Sequence, residues 1–456
     1  MRNEASISQI IHTSPCFTVA NLKSLAFAAL ILGLVTPWSL QAGEKPWQDE
    51  TVLVSKQGDQ TVVQGVKGDK VLFKNKDAQL AIEWAMGNAR VTVVQAGKYM
   101  VDDSIDAPRD GVTLIIDQGA VIEMNLDADP KTNLGFRSRT GPMSLQLVPM
   151  IYIKNRNHVR VYYFGDLVHG QKQKPEGSVP PFVQTIPIVF DGRGDFPMPL
   201  PDRNNRMGKV EDRKYGIDGG TLVATGTCDG NFFLCLDAIN MQVPLICPVP
   251  AGVDAVFCME GCDRGVIGMV VNLAKEKGGQ VGEVVDLNAA CGNISFETLI
   301  GERSTEILDC NASQAVIKEA VSIGRPEVLF TLTPNHGARW TQSPCIPARL
   351  TCETLTILAD EDAAKLGIIR QRNRQNKLAE SVTLGDPKEA GAMELKDIKI
   401  DKLQFFAEPV DVKRTIIVPK LPEALPRFTV KATVEVTLND GSKKEYTKEV
   451  MIDVSQ

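Results

Sequence analysis

The feature that most constrains this chain is an internal repeat with a period of about 23 residues. Residues 234–243 align with residues 257–266 without a gap, an offset of 23 (266 − 243). The pattern returns at residues 290–296 and 312–317, and residues 155–161 match it upstream. A unit of this length cannot bury its apolar side chains alone, so neighbouring units must stack to form a shared core.

The spacing of the repeat favours strands over helices. From Val266 the next equivalent positions are Ile294 and Val316, which gives steps of 28 and 22 residues. Three short strands and a loop of variable length fit such steps, and stacked strands at about 4.8 Å would pair their backbones. An ordinary α/β repeat is the alternative, but most intervals leave no room for a helix.

A helix is predicted ahead of the first strands, over residues 77–85. Asp77 suits an N-cap, Leu80 and Trp84 repeat at helical spacing, and Gly87 is a natural stop. Strand patterns follow it, with turns at the intervening glycines.

Helix, strand, QAGKYMV, strand and DGVTLIIDQGAVIEM, read together over residues 77–124, resemble the opening of right-handed parallel β-helix proteins of the pectin-lyase-like superfamily. The resemblance implies an all-β fold, a right-handed parallel β-helix in which the N-terminal helix caps the open end of the stack. It also implies a protein that handles polysaccharides.

The last third of the chain departs from the repeat. Residues 360–375 are predicted to be helical, and a linker follows near residues 385–391. Residues 428–437 alternate strictly and return through residues 446–452, which predicts a hairpin of half-buried strands. This hairpin could form a small β-sandwich or a cap over the C-terminal end of the stack. The expected organisation is a signal peptide at 1–42, the β-helix at 43–340 with a long loop at 171–220, a helical or irregular connector at 341–394, and a C-terminal β-hairpin or β-sandwich domain at 395–456.

The N-terminus predicts export. The apolar run 25–35 is too short for a bilayer, which needs about 20 residues. Lys23 precedes it and the small residue Ala42 follows it, which is typical of a secretory signal cleaved near Ala42. The protein is therefore expected to be secreted or periplasmic, with no membrane attachment after cleavage; an uncleaved membrane anchor is the alternative.

Charge and cysteine content narrow the function. The 456 residues carry 50 Lys and Arg against 56 Asp and Glu, and this lack of a basic surplus argues against a nucleic-acid partner.

Cysteines within the repeat are expected to be buried thiols, namely Cys235, Cys258, Cys262 and Cys291. Cys345 and Cys352 lie outside the repeat and are the better candidates for a disulfide.

The loop 171–220 is the largest interruption of the repeat and the first candidate site. Its segment Asp191-Gly192-Arg193-Gly194 resembles the DGxG turn of β-helix polysaccharide hydrolases, where the segment is mainly structural. The other signatures of the polygalacturonase family are absent, although two carboxylates could be assembled from different repeats. The loop could equally be a solvated structural excursion.

Elimination from a uronate needs a base and a cation or Arg that neutralises the carboxylate. The candidates for catalysis are Arg193, His169, Asp191 and Lys214. The candidates for substrate binding are Arg203, Arg206 and Tyr215, with His336, Arg339 and Trp340 in a second patch that could instead be a packed junction. Asp237, Glu260 and Asp263 are candidate Ca²⁺ ligands if equivalent positions stack, and turn residues facing water if they do not.

These observations predict an exported β-helix protein that binds, and could cleave, an acidic polysaccharide or cell-envelope glycan by a lyase-like or glycosidase-like reaction. A non-catalytic structural or surface-attachment protein is the alternative, favoured by the missing catalytic signatures and by an aromatic content of only 6%.

Overall fold

The computed structural model describes residues 50–66, 70–134, 145–176, 178, 181–193, 215–228, 232–248, 254–275, 279–325, 328–334, 346–360, 362, 367–372, 378–383, 393–395 and 397–455. All of them belong to one compact unit, Pro46–Gln456. The predicted signal segment and its cleavage site lie outside the described residues. No helix in the described ranges is both long enough and apolar enough to cross a membrane.

The described chain is almost entirely β-structure. Its helices are α1, Ala78–Asn88, and a 3-10 turn at Leu126–Ala128. The first strands are β1 Thr51–Gln57, β2 Gln60–Gly65, β3 Val71–Asn75, β4 Val91–Val94, β5 Gly97–Val101, β6 Ile105–Asp106, β7 Thr113–Ile116, β8 Ala120–Met124, β9 Leu145–Lys154, β10 Arg160–Tyr163, β11 Asp166–Val168, β12 Gln171–Gln173 and β13 Phe182–Asp191. They are followed by β14 Ile217–Asp218, β15 Thr221–Ala224, β16 Phe233–Leu236, β17 Ala238–Ile239, β18 Gln242–Ile246, β19 Val256–Glu260, β20 Val266–Asn272, β21 Val281–Ala289, β22 Ile294–Glu302 and β23 Ser304–Asn311. The last are β24 Gln314–Ile323, β25 Val328–Thr333, β26 Arg349–Leu358, β27 Ile368–Arg372, β28 Leu378–Thr383, β29 Met393–Leu395, β30 Ile398–Phe406, β31 Pro409–Ile417, β32 Arg427–Leu438 and β33 Lys443–Asp453.

Two long, mostly parallel sheets organise these strands. Sheet 1 has the order β29-β30-β26-β24-β22-β20-β18-β15-β10-β7-β4-β1-β2-β3. Sheet 2 has the order β28-β27-β25-β23-β21-β19-β16-β13-β9-β6, with β12 paired to β13. From β18 to β27 the chain alternates between the two sheets, so each circuit adds one strand to each sheet. The all-β prediction is therefore confirmed.

The register differs from the gapless repeat alignment by one residue. Val243 pairs with Ile267, and Cys235 pairs with Met259, an offset of 24 in both sheets. An irregularity after Phe233 changes the offset from 23 to 24 within the pairing of β16 with β19. Because side chains alternate between the faces of a strand, the predicted offset of 23 would have turned every residue to the wrong face.

The main core lies between the sheets. It is formed by fully buried aliphatic, aromatic and thiol side chains from every circuit. Cys235, Cys262 and Cys291 are free, buried thiols, as predicted, and the sulfur atoms of Cys235 and Cys262 are 3.6 Å apart. The side chain of Cys258 lies outside the described residues. Cys352 is also a buried thiol that forms no disulfide, so the predicted disulfide between Cys345 and Cys352 is wrong. Cys345 itself lies outside the described residues.

Helix α1 begins as predicted. The Asp77 side chain accepts a hydrogen bond from the backbone N–H of Leu80, at 3.2 Å. Ala81 and Ala85 are buried in the main core, whereas Leu80 is 49% exposed. The helix extends one residue past Gly87, to Asn88.

The C-terminal hairpin predicted from residues 428–452 is confirmed as β32 and β33, which form a three-stranded antiparallel sheet with β31. This sheet packs on one outer face of sheet 1 through a second apolar cluster. The rings of Phe164 and Phe428 meet edge to face in this cluster, 6.2 Å apart. The packing follows from the strict alternation of β32, which leaves one whole face apolar.

A helix is predicted over residues 360–375, but Ile368–Arg372 within that range forms β27, a strand of sheet 2. The prediction is wrong for this segment. The sheets continue beyond residue 340 through β26, β27 and β30. Stacking explains the difference: Ile369 is fully buried and pairs with Phe330 of the preceding circuit, so tertiary packing overrides the local helical pattern.

Candidate functional site

The first predicted site residues, Asp191 and Arg193, lie at the end of β13 in sheet 2. Arg193 is held by Asp191, the last residue of β13. The Arg193 guanidinium donates to both carboxylate oxygens, from Nε at 2.8 Å and from Nη2 at 2.7 Å, and to the carbonyl of Leu134 at 3.1 Å. The hydroxyl of Tyr152 donates to Asp191 Oδ2 at 2.7 Å.

This ion pair is buried, which fixes its protonation. The side chains of Arg193 and Asp191 are only 12% and 2% exposed. Burial alone would lower the pKa of Arg193, but the hydrogen bonds and charge of Asp191 raise it. Burial, with the Asp191 charge, also raises the pKa of Tyr152. All three groups are locked together, so Arg193 is not poised to take a proton from a substrate.

The turn that follows Asp191 needs its glycine. A Cβ on Gly192 would lie 2.2 Å from the carbonyl oxygen of Asp237 on the next circuit. Substitution would therefore push two backbones apart. Gly192 therefore has a structural role, and Gly194 lies outside the described residues.

His169 does not join this group. Its Nδ1 lies 2.8 Å from the hydroxyl of Thr185, six residues before Asp191 on the same strand. Six residues of strand span roughly 20 Å, so His169 and Asp191 cannot act on one atom. Tyr215 is half-buried just before β14. The other predicted catalytic and binding residues lie outside the described residues: Lys214, Arg203, Arg206, His336, Arg339 and Trp340.

The three predicted metal ligands have separate structural partners. Asp237 occupies a left-handed turn with φ of 45°. Glu260 is fully buried and accepts the side-chain amide of Asn288 at 2.8 Å. Asp263 accepts the amide of Asn293 at 3.0 Å. Across the part of the chain that the structure describes, their carboxylates form no common cluster.

A different set of carboxylates does come together on the outer face of sheet 2. Oxygens of Glu283, Asp286 and Asp309 all lie within 4.8 Å of one another. In the parallel register, Glu283 of β21 pairs with Glu306 of β23, and Asp286 pairs with Asp309. In each strand the two residues between Glu and Asp are buried in the main core, namely Val284, Val285, Ile307 and Leu308. The Glu and Asp side chains of each strand therefore lie on the outer face of sheet 2. We call Glu283, Asp286, Glu306 and Asp309 the acidic cluster.

The acidic cluster is electrostatically strained. Burial, followed by the charge of Asp309, raises the pKa of Glu306 well above its ordinary value, and Glu283 adds to the shift. The Thr331 hydroxyl and the Arg370 guanidinium oppose it. At the ordinary pKa all four groups would be ionised at neutral pH, and close like charges make that costly.

A buried hydroxyl lies beside the acidic cluster. The Thr331 side chain is 1% exposed, and its hydrogen bond to the Glu306 carboxyl lowers the pKa of that group. Thr331 pairs in register with Asp309.

Arg370 is the last residue of a row of side chains that crosses four strands of sheet 2. It pairs in register with Thr331, so Asp286, Asp309, Thr331 and Arg370 occupy equivalent positions on four successive strands. Its side chain is half-buried, and its charge lowers the pKa of Glu306. Successive strands are about 4.8 Å apart, which places Arg370 about 10 Å from Asp309 along the row.

Sequence reasoning missed the acidic cluster, although a signal for it was present. Glu283-Val-Val-Asp286 and Glu306-Ile-Leu-Asp309 repeat the same Glu-x-x-Asp pattern 23 residues apart. Alternation alone would put the Glu and the Asp of each strand on opposite faces, so the pattern indicates only that the acidic positions recur in the repeat. No model of a known protein family matches the chain, and a search of curated proteins finds no match either.

Proposed function

We propose that this chain is an exported right-handed parallel β-helix protein that binds an acidic polysaccharide along the outer face of sheet 2. The alternation of the chain between two parallel sheets supports the β-helix, with α1 as the cap at its N-terminal end. The apolar run 25–35 before Ala42 supports export.

The observation that carries the proposal is the row formed by Asp286, Asp309, Thr331 and Arg370, which occupy equivalent positions on four successive strands of sheet 2. Asp309, which is only partly buried, offers carboxylate oxygens to sugar hydroxyls. Arg370 offers a planar guanidinium, which can hold a uronate carboxylate with two hydrogen bonds. One linear polymer could contact both Asp309 and Arg370, because the row follows the direction of stacking.

The catalytic roles predicted for Arg193 and His169 do not support the proposal. Arg193 is committed to Asp191, and His169 is roughly 20 Å from Asp191 along the strand. Cleavage, if it occurs, would take place beside the acidic cluster.

The test is a binding and cleavage panel with the purified full chain. Uronate polymers, sulfated polymers and matched neutral polymers would be titrated by calorimetry, with and without Ca²⁺. Binding restricted to acidic polymers is the expected result, and equal binding to neutral polymers or no binding to any would overturn the proposal.

The same samples separate the possible reactions. A rise in absorbance near about 235 nm would report the unsaturated product of elimination. New reducing ends without that absorbance would report hydrolysis by paired carboxylates. Binding without either product would favour the non-catalytic, surface-attachment role.

A further inference from the structure

We propose that Cys235 and Cys262 form a disulfide when the chain folds in an oxidising compartment, and that this bond locks the register between β16 and β19. The proposal takes only the export of the chain from the function proposed above, and it does not depend on a glycan. Both residues are thiols in the structure, which therefore shows the reduced form.

Four thiols follow one another through the main core, one from each of four successive circuits. Cys235 lies in β16 and Cys310 lies in β23, whereas Cys262 and Cys291 follow β19 and β21 by two residues. All four side chains are at most 1% exposed. We call these four residues the thiol column.

Two members of the thiol column are in direct contact. The sulfur atoms of Cys235 and Cys262 are 3.6 Å apart, and the Cys262 thiol also donates to the carbonyl of Cys235 at 3.4 Å. A disulfide bond is about 2.05 Å long, so the two side chains together need to approach by about 1.6 Å. Cys235 pairs in register with Met259, three residues before Cys262, so the bond would tie β16 to the turn that follows β19.

The bond would form at a pairing whose register is irregular. The offset between β16 and β19 is 23 at Phe233 and 24 from Leu234 onwards. A slip of one residue would turn Cys235 from the main core to the outer face of sheet 2, because side chains alternate along a strand. The two sulfur atoms could then no longer meet, so the disulfide selects the native register.

Cys291 is the competing partner for Cys262. Asp263 bridges to Gly292, so Cys262 and Cys291, each one residue earlier, are direct neighbours on successive circuits, and their side chains share a hydrogen bond. Residues paired directly in a sheet are about 4.8 Å apart, which is less than the Cα separation of about 5.5–6 Å that disulfides prefer. Cys235 approaches Cys262 diagonally, which favours this pair.

The oxidant must act while the circuits are still closing. Burial raises the pKa of the Cys262 thiol well above its ordinary value, so the folded protein holds little of the reactive thiolate. During folding, one thiolate attacks the S–S bond of an oxidised disulfide such as glutathione disulfide, and the second thiolate then displaces the mixed disulfide. The two cysteines lose two protons and two electrons, and the oxidant becomes two thiols.

The experiment uses the full chain, unfolded and reduced, then refolded either with glutathione disulfide and glutathione or with a phosphine reductant. Remaining thiols are blocked with N-ethylmaleimide, and mass spectrometry of the digest identifies cross-linked peptides. A peptide that joins Cys235 to Cys262 is expected with glutathione disulfide and not with the reductant. Cys235→Ala should lose it, and Cys352→Ala, which removes a buried thiol of β26, is the matched control and should keep it.

Thermal melting tests the role of the bond. The disulfide closes a loop of 27 residues (262 − 235) and restricts the unfolded chain, so the oxidised wild type should melt about 5 °C above the reduced wild type. Cys235→Ala should melt at one temperature after either refolding. If Cys235→Ala does not fold, Cys262→Ala serves the same purpose.

Two results would overturn the disulfide: wild type that regains its fold with glutathione disulfide but yields no Cys235–Cys262 peptide, or a peptide that joins Cys262 to Cys291 in its place. If refolding fails, the same mapping is applied to the full chain produced in a bacterial periplasm, with the same two outcomes. A bond that leaves the melting temperature unchanged would overturn its role in locking the register.

Discussion

Arg193 donates two hydrogen bonds to the carboxylate of Asp191, two residues earlier in the chain, at 2.8 and 2.7 Å. The pair lies at the end of β13, and Arg193 also donates a hydrogen bond to the carbonyl of Leu134. Arg193 and Asp191, which the sequence predicts to be catalytic, therefore have a structural role. The acidic cluster and Arg370 lie elsewhere, on β21, β23 and β27.

Removing one member of this buried pair should destabilise the protein strongly. Arg193→Ala leaves Asp191 charged, 2% exposed and without its cation, which should lower the free energy of unfolding by about 3–5 kcal/mol. The measurement is urea unfolding of the full chain. Arg427→Ala is the control, because its partner Asp453 forms a solvent-screened surface pair and little change is expected. Equal, small effects for both variants would show that the Arg193 pair is not structural.

Asp106 should make stability depend on pH. Burial, with the charges of Glu83 and Asp103, raises its pKa from 3.8 to about 6. The folded state therefore keeps a proton that the unfolded state releases, and the stability gained is full below pH 3.8 and is lost as pH rises through about 6. Asp106→Asn should remove this slope.

The measurement compares wild type and Asp106→Asn by urea unfolding at several pH values from about 3.5 to 7. The difference between their free energies of unfolding should change steadily as the pH approaches 6 and then level off. Two curves that run parallel over the whole range would contradict the assigned pKa.

Much of the fold could be read from the sequence because its determinants are local or periodic. The Asp77 cap sets the start of α1, and strict alternation marks β32 and β33. The burial of Cys235, Cys262 and Cys291 follows from their place among the apolar residues of the repeat. The register could not be read, because a single irregularity after Phe233 shifts the offset and leaves no mark in a gapless alignment.

The site was harder to predict, for a physical reason. Asp237, Glu260 and Asp263 are carboxylates in a repeat, but each meets a different internal partner in the fold: the charge of Asp237 acts on Arg193, Glu260 accepts from Asn288 and Asp263 accepts from Asn293. Whether acidic side chains converge depends on which face they occupy. In the acidic cluster, two inward residues separate Glu from Asp on both strands, and only the folded register makes that visible.

The central claim is that the outer face of sheet 2 binds an acidic glycan, and Arg370 tests it most directly. Binding of a uronate polymer would be titrated at fixed ionic strength for wild type, Arg370→Gln and the control Arg349→Gln, an exposed arginine at the start of β26 on sheet 1. Loss of a charged hydrogen bond predicts binding about 10- to 100-fold weaker for Arg370→Gln. Arg349→Gln should bind as the wild type does. Wild-type affinity in Arg370→Gln, or an equal loss in both variants, would contradict the account.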